Sequence, residues 1–150
     1  MTYYDFFVSV SYTRQQMATY FGGDQKFFLY GHTFYKTEER LNSGFSLPAL
    51  FIRFDRAEIQ GNRENTEMIA VYNLYFKTKY DGLSAGIDAD GATLENAVGS
   101  LFTCFEDNTL GGLVNYADIL SVSVEDDGGG DAYTQTTTIE LACSLKPKPE

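Results

Sequence analysis

The tightest constraint on this chain is a side-chain period of two near its C-terminal end. In "TIELACSL", Ile139, Leu141, Cys143 and Leu145 alternate with Glu140, Ala142 and Ser144; in "ADILSVSVE", Leu120, Val122 and Val124 alternate with Ser121 and Ser123. Successive strand residues point to opposite faces, so each segment is expected to bury one face and wet the other. The connection "DDGGGD" is too flexible for a tight turn and predicts a hairpin with a loose, acidic tip.

A second hairpin is expected upstream. "ALFIRFDRAEI" and "TEMIAVYNLYFKTKY" are rich in β-branched and aromatic residues, and "QGNREN" between them offers Gly61 and Asn62 for positive φ. Residues 36–48 read as a loop, where Pro48 can begin a strand but not sit centrally in one.

Two segments carry a helical period. In "TLENAVGSLFTCFEDN", Leu94, Ala97, Val98, Leu101 and Phe105 form one apolar stripe, with Asp90 or Thr93 available as cap. The N-terminus is read two ways. Thr2 and Asp5 suit a capping box, and Phe6, Val10, Thr13, Met17 and Phe21 follow a helical stripe ended by Gly22 and Gly23. Phe6, Val8, Val10 and Tyr12 also alternate as a strand would, but the strong stop signal favours the helix. The order helix, hairpin, helix, hairpin predicts an α+β fold: a four-stranded, largely antiparallel sheet with two main helices packed on one face.

At 150 residues the chain is the size of one domain. Twelve of its 23 aromatics fall within residues 1–35, which read equally as core and as subunit interface. Without 18 consecutive apolar residues or a secretory leader pattern, it is expected to be soluble, with no membrane partner. Cys104 and Cys143 lack metal-site spacing and read as buried thiols; they lie on elements that can approach each other, so a disulfide stays open, although a reducing cytoplasm argues against one.

The net charge of -10 is unevenly spread. From Tyr80 to Leu145 there are twelve acids and no Lys or Arg, whereas residues 1–79 hold eight acids and nine bases. Such a field repels phosphate and disfavours a nucleic-acid gripper. It suits a solvated surface, a wall past which DNA slides, or a dock for a basic partner.

Catalytic patterns are scarce. His32 is the only histidine and has no evident partner; Asp88 and Asp90 begin a calcium-loop pattern that fails at Gly99, where a ligand is required. Phosphate cradles, nucleophile elbows and zinc-protease helices are missing from the sequence, so neither an enzyme nor a cofactor is expected.

The helical start, the "PALFIRF" strand after a proline, its long partner, the amphipathic helix ending near "LFTCFEDN", and the last strand "TQTTTIELACSL" together resemble the tail terminator proteins of tailed bacteriophages, nearest the small lambda-like type. The likeness covers residues 48–145 and rests on element order. It implies a virion protein, made in the host cytoplasm, that forms a hexameric ring, stops growth of the tail tube and presents a surface to the head connector, with DNA passing through unbound. It implies no catalysis and no cofactor.

In that setting Glu125, Asp126, Asp127 and Asp131 are the candidate lumen or docking loop, and Arg53, Arg56 and Arg63 the candidate contacts to a neighbour's acidic half. Alternatives are another neck, head-to-tail joining or baseplate ring subunit, or a small acidic α+β module that binds a basic partner. A hydrolase using acidic residues and a metal is a weaker reading.

Overall fold

The protein was analysed as a computed structural model that describes residues 2–21, 28–29, 32–33, 37–38, 49–61, 67–80, 108–126 and 133–150. Helix α1 (Tyr3–Thr19) is followed by three two-residue strands, β1 (Phe28–Leu29), β2 (His32–Thr33) and β3 (Thr37–Glu38). Four long strands complete the described elements: β4 (Ala49–Gln60), β5 (Glu67–Tyr80), β6 (Val114–Asp126) and β7 (Tyr133–Leu145).

The helical reading of the N-terminus holds. Thr2 Oγ1 accepts from the Asp5 amide at 3.1 Å, and the Asp5 carboxylate accepts from the Thr2 amide at 3.4 Å, closing a capping box. Phe6, Val10, Thr13, Met17 and Phe21 are all buried, as a 3.6-residue period requires. Thr2→Ala removes an acceptor from the first turn and is expected to cost about 1 kcal/mol, read as a lower urea midpoint at unchanged slope; an unshifted midpoint would mean that the cap contributes nothing.

Both hairpins form. β4 and β5 pair antiparallel with Gly61 at φ 103°, β5 pairs with β7, and β7 with β6. The sheet order is β3-β4-β5-β7-β6, with β3 parallel to β4 beside Leu50 and Phe51. Among the described residues the architecture is thus four long antiparallel strands with one helix. The second expected helix falls on positions 93–107, outside the described residues. Asn108–Leu113 form turns, in which Leu110, Gly111 and Gly112 all take positive φ while the Leu110 side chain is buried in the core.

The main core lies between α1 and one sheet face. It joins Phe6, Val10, Met17 and Phe21 to Leu50 and Ile52, to Ala70, Tyr72, Leu74 and Phe76, and to Ile139, Leu141, Cys143 and Leu145. These last four keep the predicted alternation without a break. Tyr72 crosses the layer, its hydroxyl donating to the Val10 carbonyl at 2.9 Å.

β6 departs from expectation. Leu120, expected to face inward with Val122, is 49% exposed. Ile119 stands opposite Leu141 and Ser121 opposite Glu140, so Leu120 is an extra residue in a β-bulge that resets the alternation. A second irregularity at Asn115 brings Val114 and Ala117, three apart, into the same core.

Candidate functional site

The sheet face turned away from α1 holds most of the charge. Because Ile139, Leu141 and Cys143 face the helix, Thr136, Thr138, Glu140, Ala142 and Ser144 face away, and strand pairing extends that face to Arg53, Asn73 and Lys77, to Val71 and Ile69, and to Asp118 and Glu125. The pleat alone makes this division. A bulge at Asp55 then brings Arg56 and Glu58 onto the same face, with Arg56 opposite Val71 and Glu58 opposite Ile69.

Arg56 is the hub of this surface. Its guanidinium meets Asp55 at 2.7 Å, Glu140 at 2.7 Å and Glu58 at 3.1 Å. The hydrogen bond that it donates to Glu140 first, and the one that it donates to Asp55 second, raise its pKa above the ordinary arginine value. Glu140 also accepts from Ser121 Oγ at 3.4 Å, so the cluster links β4, β7 and β6. Three carboxylates around one cation leave the cluster net negative, and its side chains are 26–42% exposed, so solvent screens the attraction.

Lower on the same face lies a small apolar patch of Ile69, Val71 and Ala142, with Tyr116 packed against it. The Tyr116 hydroxyl donates to Glu67 at 2.6 Å, and that bond, ahead of desolvation, raises the tyrosine pKa. Lys77 Nζ donates to Thr136 Oγ1 at 3.0 Å. By register and contact, Asp55, Glu58, Glu67, Asp118, Glu125 and Glu140 share this face with Arg53, Arg56, Lys77 and Lys79, so acids outnumber bases there among the described residues.

Register places the candidate residues relative to one another. The connection from β4 to β5 leaves one end of the sheet and that from β6 to β7 the other, since Gln60 pairs with Glu67 and Asp126 with Gln135. Glu125 and Asp126 therefore stand at the end remote from Gly61. Arg53 and Arg56 lie between, both exposed. Asp127, Asp131 and Arg63 are outside the described residues, as is Cys104; Cys143 is a buried free thiol whose pKa burial pushes up.

Sequence reasoning did not single out Glu140, Asp118, Glu67 or Tyr116 as members of this surface. The signal for Glu140 was present in its phase, opposite to Ile139 and Leu141. Its pairing with Arg56, 84 positions away, depends on strand order, which the alternation does not encode.

Among the described residues no group of three His, Cys, Asp or Glu is placed to hold a metal ion, and Arg56 bridges Asp55, Glu58 and Glu140. A cleft of about 320 Å³ beside α1 is lined by Tyr12, Gln16 and Tyr20, by the 110–113 turn and by the C-terminal prolines, with Lys146 donating to the Gly112 carbonyl at 2.8 Å. Among the described residues no helix is long and apolar enough to cross a membrane. No family model and no curated protein matches the sequence.

Proposed function

We propose that this chain is a structural subunit of a tailed-phage virion, similar to a tail terminator, which forms a hexameric ring capping the tail tube and joining it to the head connector. The reading includes a second helix within positions 93–107, packed with α1 on one face of the sheet. It assigns the protein no catalytic activity and no cofactor, and it has DNA pass through without specific binding.

One observation carries it: three carboxylates of the later strands, Asp118, Glu125 and Glu140, share the face away from α1. A surface of that sign holds a polyanion off, because binding DNA requires cations that displace its counterions. Helix, hairpin and hairpin also follow one another in the order that the likeness to terminators implies.

The test is a purified chain viewed by negative-stain electron microscopy and weighed by native mass spectrometry, where sixfold rings with an open centre are expected. Asp118→Lys with Glu125→Lys should convert a ring that ignores DNA into one that retains it, with retention falling steeply as salt rises. A monomer at every concentration would replace the ring reading with that of a small acidic module for a basic partner.

A further inference from the structure

We propose that neighbouring copies join edge to edge, β6 of one pairing antiparallel with the open length of β4 in the next, and that Arg53 meets the acids of β6 across this seam. The inference rests on the ring reading and specifies the contact through which such a ring closes.

Among the described residues the sheet has two unfinished edges. β6 ends the strand order, and at the other side β3 covers only Leu50 and Phe51 of β4, so among the described residues positions 52–60 of β4 have no strand on their outer side. Unpaired strand backbone is a template for another chain. The successive antiparallel pairings of β4, β5, β7 and β6 leave β4 and β6 running in opposite directions. A copy set alongside in the same orientation therefore continues the antiparallel pattern, with different surfaces meeting, as a ring contact requires.

Charge selects that pairing over the alternatives. β6 carries Asp118, Glu125 and Asp126 and no base, so two β6 edges repel each other. On β4, Arg56 is held by three carboxylates, two of them on its own strand, whereas Arg53 is exposed and has no ion pair among the described residues. The bulges at Asn115 and Leu120 confine regular pairing on β6 to 121–126, the stretch that holds Glu125 and Asp126. Each open edge also bears an exposed apolar side chain, Leu120 at 49% and Ile59 at 53%, which a strand partner would cover.

Zero-length carbodiimide coupling of the Arg53→Lys variant, which keeps the charge and supplies an amine, tests the seam. Within one chain, β4 and β6 are three strand spacings apart, roughly 14 Å, too far for such a bond. Copies labelled with different nitrogen isotopes are mixed before coupling, and peptides joining position 53 to a β6 carboxylate are expected in mixed-isotope form. Arg53→Glu should weaken association roughly tenfold or more, and adding Glu125→Arg should restore it. Rings that form without the mixed cross-link overturn the seam and leave the ring reading standing. A chain that never associates overturns both, and the cross-link in open chains keeps the seam while removing the closed ring.

Discussion

Tyr72→Ala is expected to destabilise the protein by about 3–5 kcal/mol, the largest loss from any single side chain considered. Tyr72 is fully buried at the centre of β5 and touches both layers. Its ring packs edge-on to Phe54 at 5.9 Å, and Phe54 in turn meets Phe7 of α1 at 6.2 Å, so truncation leaves a cavity and breaks a chain of aromatic contacts between helix and sheet. Tyr72→Phe separates the hydroxyl from the ring. It removes only the bond to the Val10 carbonyl, which keeps its place as a helical acceptor, and should cost about 1 kcal/mol. Urea denaturation of both variants measures the split; equal losses would show that the hydroxyl, and not the ring, holds α1 to the sheet.

Alkaline solution should unfold the protein through the same residue. Burial raises the Tyr72 pKa above its ordinary 10.0 and that of Cys143 above its ordinary 9.0, with Cys143 also pushed upward by the negative charge of Asp118. In the unfolded chain both groups lose their protons at those ordinary values, while in the native state they keep them. Above pH 9 for the thiol and above pH 10 for the phenol, the unfolded state therefore binds fewer protons than the folded one, and stability falls as pH rises, by about 1.4 kcal/mol per pH unit for each group. Below those values the contribution is present in full. Tyr116 adds a smaller share of the same sign, discounted because its bond to Glu67 is open to solvent. Stability measured from pH 8 to 11 should be flat and then decline, and Tyr72→Phe should remove about half of the decline above pH 10. A slope unchanged in that variant would mean that Tyr72 does not hold its proton on folding.

These expectations are electrostatic in opposite senses. Inside the sheet, a tyrosine and a cysteine resist charge because the helix seals them from water. On the outer face, charges are plentiful because water reaches them, and three carboxylates gather on Arg56 at little net gain. The stability of the fold therefore rests chiefly on the α1 face, where the main core lies.

Local chemistry determined a good deal by itself. The spacing of Phe6, Val10, Thr13 and Met17, with Thr2 and Asp5 closing the first turn, specified α1, because a helix is capped and buried by residues within a few positions of one another. The unbroken alternation of Ile139, Leu141, Cys143 and Leu145 specified β7 and its inward face, and the turn at Gly61 marked the first hairpin. Leu120 shows where such reading ends: a bulge inserts one residue and reverses the face of everything after it, and its position is set by pairing with β7, not by any residue of β6 alone. Strand order was likewise decided only in three dimensions. With β7 placed between β5 and β6, Glu140 comes within 2.7 Å of Arg56, and among the described residues β6 and the length of β4 beyond β3 are left open. Periodicity is a property of neighbours in the chain; which strand lies beside which is settled by the shared core beneath α1, to which residues more than a hundred positions apart contribute.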